Sequence, residues 1–237
     1  MRKVLVIDIE TMARDAKEAL QPFMSQIKGK GPTETWENQN KAIEKAALSP
    51  VCARVISIAV AEVNLLNRGE SEDYLADTEA VAFFCHESEY EMLTQFISYL
   101  AGFKNPILVT FNGRGFDFPF LMFRCGVHGI PFEAPIYPYN GRDDHIDLML
   151  HLNQVAGLDK LYYKLEYIGL KRWIEYFAIP VKKLSIADGE IDLPTLFASG
   201  KYDEIRAYNM GDVMATLHLL RTFQYNFESI FYRHEGY

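Results

Sequence analysis

Four carboxylates and one phenol are the side chains here whose types and spacing could do chemistry. They are Asp8 and Glu10, Asp117, Asp212, and Tyr208 four positions before the last. A polypeptide gathers acids from distant segments at one point mainly to hold divalent metal ions, because like charges otherwise repel. Asp8-Ile9-Glu10-Thr11 closes the apolar run KVLVIDI. Strand side chains alternate faces, so Asp8 and Glu10 point the same way and Ile9 points into the core. Two acids on one face at a strand end repel each other and cannot pack apolarly, and a cation between them resolves both problems. Taken alone, such a triplet is more often a pair of solvated acids at a strand edge.

Asp117 ends Asn112-Gly-Arg-Gly-Phe-Asp117, directly after the run PILVTF. The glycines permit a tight turn or a close backbone approach. The aspartate falls near a helix start, where the helix dipole favours an anion. By itself it could equally serve only to cap that helix. Tyr208-Asn-Met-Gly-Asp212 lies in a long helical stretch. Tyr208 and Asp212 are one turn apart and share a face. An aspartate beside Gly211 inside a helix is poor for helix stability, which points to another purpose. The plainer alternative is an exposed aspartate beside a core tyrosine.

The elements that must position these residues follow from hydrophobic periodicity. Residues 3–9, 54–63, 80–85, 106–111 and 144–148 read as strands. Residues 87–101 and 116–127 read as helices. Helical segments continue to the end, broken at Pro180, Asp188-Gly189 and Ser199-Gly200, and the longest covers 202–223. Residues 13–50 are polar, contain GKGP and carry a helical stretch at 36–48, which predicts an insertion of one or two helices. Early strands followed by strand–helix alternation predict an α/β fold, a mixed sheet of about five strands flanked by helices. There is no internal repeat and no linker, so residues 1–237 are expected to form a single domain.

Composition narrows the class. A chain of 237 residues, 49% hydrophobic, builds one sizeable core. Three widely spaced cysteines argue against a disulfide framework or a zinc site and for a reducing cytoplasm. The N-terminus lacks signal-peptide features, and no apolar run approaches the ~20 residues of a membrane span. The net charge of −8 opposes tight binding of extended duplex. It does not oppose brief handling of one strand end, because bound cations invert the sign at an acidic site.

The three motifs together, in this order and context, resemble the DEDD superfamily of 3′–5′ exonucleases, which has a ribonuclease H-like fold. Tyr208 places the resemblance in the DEDDy branch. The histidine branch would carry its histidine where Ala207 stands. Further stretches are similar to stand-alone proteins related to the proofreading exonuclease domain of family B DNA polymerases. These are ARVISIAVA, LVTFNGRGFDFPFL, HIDL, and Phe177-Ala-Ile-Pro180 through Asp188-Gly189. The resemblance covers residues 3–12 and 54–222.

It implies hydrolysis of phosphodiester bonds from the 3′ end of nucleic acid, with release of nucleoside 5′-monophosphates. Single-stranded DNA is the favoured substrate, with RNA as the alternative. A non-catalytic binding module on the same scaffold typically lacks one or more of the acids. The resemblance further implies two divalent cations, Mg²⁺ or Mn²⁺, held by Asp8, Glu10, Asp117 and Asp212, with Tyr208 orienting the attacking water. Thr11 and Met12 would lie against the terminal nucleotide, with Asn112 and Phe116 as secondary candidates, Phe116 more as core than as a stacking platform. Asp147 reads as mainly structural or as a support behind the ligands, and His128 and His145 as satisfied or exposed histidines. Two departures from the resemblance stand at Arg172-Trp173 and at Asn209-Met210, and neither is expected to touch a ligand position.

Overall fold

The computed structural model describes residues 2–14, 46–67, 73–132, 144–157, 168–181 and 191–232. Five strands form one sheet: β1 (Lys3–Ala13), β2 (Ala53–Leu65), β3 (Leu75–Phe84), β4 (Ile107–Thr110) and β5 (His145–Asp147), in the order β3-β2-β1-β4-β5. β1, β2 and β3 pair antiparallel, whereas β4 lies parallel to β1 and β5 parallel to β4. Parallel neighbours need crossover connections. Helix α1 (Glu89–Ala101) precedes β4, and α2 (Asp117–Val127) leads toward β5. Then follow α3 (Leu148–Val155), α4 (Leu170–Tyr176), α5 (Leu193–Ala198), α6 (Tyr202–Thr222), a 3₁₀ turn (Gln224–Phe227) and the short α7 (Glu228–Phe231).

Alternation along β1 decides the layering. Val4 and Val6 belong to a buried cluster with Ala59, Ala61, Ile107 and Val109 of the neighbouring strands and Val213, Leu217 and Leu220 of α6. Leu5, Ile7 and Ile9 belong to a second cluster, with Met92, Leu93 and Phe96 of α1 and Phe118 and Leu121 of α2. Burial of each such side chain is worth ~1.5–3 kcal/mol. Apolar layers on both faces therefore fix the register, since a slip of one residue would exchange the faces. The same register places Asp8 and Glu10 on the side of α6.

Several elements run further than local pattern predicts. β1 continues to Ala13 because β2 keeps pairing with it, Thr11 with Val55 and Met12 with Arg54, after a register shift between Glu10 and Thr11. The acid pair is thus inside a strand and not at its end. β3 begins at Leu75, ahead of the expected residue 80. It is an edge strand, and its polar Asp77 and Glu79 hide the apolar alternation. The expected helix at 36–48 lies outside the described residues except for 46–48. The turn at 69–73, apart from Asp73, and the Asp188-Gly189 break also lie outside them.

One buried ion pair joins α1 to α2. Glu89 accepts from Arg124 Nε at 3.0 Å and Nη2 at 2.6 Å, from the Val55 backbone N–H at 2.8 Å, and pairs with His128 Nε2 at 2.9 Å. Arg124 lies two turns beyond Asp117 on the buried side of α2.

Candidate metal and catalytic site

β4 pairs with β1 only along Val4–Val6 and ends at Thr110. β1 continues past that point, so Asp8 and Glu10 lie beyond the carboxyl end of β4. Open α/β sheets bind their ligands in this place. The acids converge there. Asp8 and Glu10 project toward α6, and α6 brings Asp212 to meet them. One carboxylate oxygen from each of the three lies within 4.8 Å of the other two. Asp117, the first residue of α2, falls outside this trio. It is 3% exposed, and its Oδ1 accepts the Ile9 backbone N–H at 3.2 Å. That bond pins β1 between its two acids, in the gap where β4 has turned away.

Burial is the largest influence on Asp117, and it pushes the carboxyl up to about 7. Its own backbone N–H and that of Ile9 oppose this rise, and the charges of Asp147 and Asp212 add to it. Tyr208 is buried beside the trio. Desolvation, then the charges of Glu10, Asp212 and Asp8, hold its hydroxyl above the ordinary tyrosine range. At neutral pH it is therefore a phenol that donates, not a phenolate that accepts. An oxygen-only donor set this acidic suits a hard divalent cation.

The turn before α2 is built to place Asp117. Asp147 accepts the backbone N–H groups of Asn112 at 3.0 Å and Arg114 at 2.9 Å, and it also caps α3 through Leu150 N–H at 3.3 Å. Asn112 takes a left-handed φ of 71°. Gly113 has no substitute: a Cβ there would stand 2.2 Å from Thr110 Oγ1. Asp147 is structural, as expected. His145 bonds Thr110 Oγ1 at 2.8 Å and His128 bonds Glu89, so both histidines are engaged in the scaffold.

Of the candidates for substrate contact, Met12 packs against the cluster of Ile56, Leu193, Ile205 and Tyr208. Thr11 donates its hydroxyl to the Ala47 carbonyl at 2.7 Å. Phe116 packs on Phe120, ring centroids 5.4 Å apart, with the α1–α2 layer, and reads as a core aromatic. Asn112 sits in the turn itself. Arg172 and Trp173 line an apolar cavity of about 490 Å³ with Leu152, Tyr176 and Phe223, and none of the acids borders it.

One expectation is corrected. Asn209 does touch one of the candidate ligands: its Nδ2 donates to Asp8 Oδ2 at 2.6 Å, while its Oδ1 accepts from Ser57 Oγ at 3.2 Å. A carboxylate only accepts, so the amide must present its nitrogen to Asp8 and its oxygen to the serine. Asn209 and Ser57 are both fully buried. The signals in the sequence were a lone hydroxyl in the apolar run ARVISIAV and an amide beside Tyr208. Neither is specific without the packing of α6 on the sheet.

Known proteins agree with this architecture. DNA polymerase 1 of Saccharolobus solfataricus is 28% identical over 179 residues, which is 70% of this chain and 19% of that one. The catalytic subunit of DNA polymerase epsilon from Aspergillus fumigatus is 28% identical over 149 residues, 61% of this chain and 6% of that one. The chain thus spans about a fifth or less of the length of these curated relatives. Among solved structures, the family B DNA polymerase of Pyrobaculum calidifontis superposes with a TM-score of 0.53 at 17% identity, over 94% of this chain and 25% of that one. Exonuclease I superposes with a TM-score of 0.54 at 13% identity, over 97% and 44%. These likenesses establish the ribonuclease H-like fold. The family model described as "Predicted 3'-5' exonuclease related to the exonuclease domain of PolB" matches residues 48–232, and the chain belongs to that family.

Proposed function

We propose that this protein is a metal-dependent 3′–5′ exonuclease that removes nucleotides from the 3′ end of single-stranded DNA and releases nucleoside 5′-monophosphates. The observation that carries this reading is the trio Asp8, Glu10 and Asp212, with oxygens within 4.8 Å of one another, beside the buried Tyr208. Three carboxylates this close repel one another, and a divalent cation between them removes that repulsion.

Asp8, Glu10 and Asp212 would hold one Mg²⁺ or Mn²⁺ ion, and Asp8 with Asp117 a second. Such ions, when bound, activate water and neutralise the charge developing on a phosphate. Tyr208 keeps its proton and orients the attacking water through its hydroxyl. The backbone at Thr11 and the side chain of Met12 receive the terminal nucleotide, with Asn112 beside it, while Phe116 packs in the α1–α2 layer. Water attacks the terminal phosphodiester, the bond to the preceding 3′ oxygen breaks, and the 5′-monophosphate departs. The relatives named for DNA synthesis favour DNA over RNA. A net charge of −8 fits short encounters with a strand end rather than processive tracking. The reading also takes residues 1–237 as one cytoplasmic domain with an insertion near 13–50. Among the described residues no helix is long and apolar enough to cross a membrane.

The test uses matched 5′-labelled DNA and RNA oligonucleotides with Mn²⁺ or Mg²⁺. Stepwise shortening from the 3′ end is expected, stopped by EDTA and lowered ~10²-fold or more in Asp8→Ala and Asp212→Asn. Tyr208→Phe is expected to lose ~10²-fold in kcat while keeping Mn²⁺ binding. Cleavage that survives loss of Asp212 overturns the site, and faster shortening of RNA overturns the choice of DNA.

A further inference from the structure

Asn209 bonds a site acid although it is neither an acid nor the tyrosine of its motif. We propose that Asn209, held by Ser57, is a positioning residue that orients Asp8 for cation binding. This inference rests on the two-cation reading above.

Asp8 Oδ2 receives the Asn209 amide at 2.6 Å, a short distance for such a bond. The amide cannot rotate away, because Ser57 Oγ holds its other end at 3.2 Å and both residues are fully buried. The relay crosses three elements: Ser57 on β2, Asn209 on α6 and Asp8 on β1. Ser57 also pairs across the strands with Glu10, so the same β2 residue is registered against both acids of β1.

The chemistry of the donor is what suits it to this task. A carboxylate asked to bind cations must be fixed in orientation while keeping its full negative charge and its remaining lone pairs. A lysine or arginine would fix it but would oppose the cations. A neutral amide occupies a single lone pair and adds no positive charge. Groups of this kind behind metal ligands set affinity by restricting the rotation of the ligand, and their loss typically lowers affinity or activity ~10–100-fold.

The experiment compares the full chain with Asn209→Leu, which keeps the branching at Cγ and removes the donor, and with Ser57→Ala, which removes only the hydroxyl. Mn²⁺ binding is measured by calorimetry and by electron paramagnetic resonance, with folding checked by circular dichroism and kcat measured at saturating Mn²⁺. Asn209→Leu is expected to weaken Mn²⁺ binding ~10–100-fold. Ser57→Ala is expected to weaken it ~2–10-fold, the effect of one lost hydrogen bond. In both, raising Mn²⁺ restores most of the rate, a rescue that a merely structural role does not show. Wild-type affinity in a folded Asn209→Leu overturns the inference. Should that variant not fold, wild-type affinity in Ser57→Ala does the same. Failure of the unaltered protein to bind Mn²⁺ refutes the two-cation reading instead, so the two failures are distinct.

Discussion

Arg124→Met tests whether the helix carrying Asp117 is clamped by charge. The side chains of Arg124 and Glu89 are 2% and 6% exposed, so neither can turn to solvent. Removing Arg124 takes away two of the four hydrogen bonds described for Glu89 and leaves those with the Val55 N–H and His128. Breaking a buried pair from one side costs ~3–5 kcal/mol, and the surviving partners put this case near ~3. For a chain of this size that lowers Tm by roughly 6–12 °C. Glu89→Met leaves the guanidinium with the Pro50 carbonyl at 3.3 Å as its remaining bond, so the loss is nearer ~5 kcal/mol. The double variant leaves no buried charge and orphans chiefly the Val55 N–H, for ~1–3 kcal/mol. Urea unfolding followed by circular dichroism in EDTA measures all four proteins. The double variant is expected to be more stable than either single one. If its loss equals the sum of the two single losses, the clamp is not a coupled unit and the reasoning fails. The pH dependence supplies a second check. Desolvation pushes Glu89 up, but its hydrogen bonds from Arg124, His128 and Val55 prevail and hold it below the usual glutamate range. Its stabilisation is therefore present above the ordinary value of 4.5 and is lost as pH falls below it. In Arg124→Met the burial prevails, Glu89 protonates readily, and the deficit against wild type narrows below pH ~5.

Two further outcomes bear on the site. Asp117 is raised, chiefly by burial, from 3.8 to about 7, so the folded protein binds more protons than the unfolded chain between those values. Ionisation then destabilises the cation-free fold increasingly across that window. Asp117→Asn is expected to gain on wild type from pH 4 to pH 8 in EDTA, by up to ~4 kcal/mol, and to lose that advantage in excess Mn²⁺. A gap in urea midpoint that does not widen with pH excludes this account. Gly113→Ala forces a methyl within 2.5 Å of the Thr110 Cβ, and Thr110 is fully buried. It should cost ~1–3 kcal/mol and slow cleavage, whereas Gly126→Ala, with open space around it, should be neutral or stabilising in thermal melts.

By itself the sequence determined what depends on local periodicity and residue type. Two-residue alternation put Asp8 and Glu10 on one face, and 3.6-residue periodicity put Tyr208 and Asp212 on another. The order of strands and helices, and the glycine turn before Asp117, were legible for the same reason. Strand limits were less so. β1 and β3 extend beyond their apolar alternation because a neighbour continues to pair with them, which their own residues do not reveal. Only the tertiary structure decided how the acids meet. The Ile9–Asp117 bond spans 108 residues, Ser57–Asn209 spans 152, and Asn209–Asp8 spans 201. Each depends on where β4 ends relative to β1 and on the seating of α6 against the sheet. Those are consequences of two apolar layers closing on one register, and no single segment encodes them.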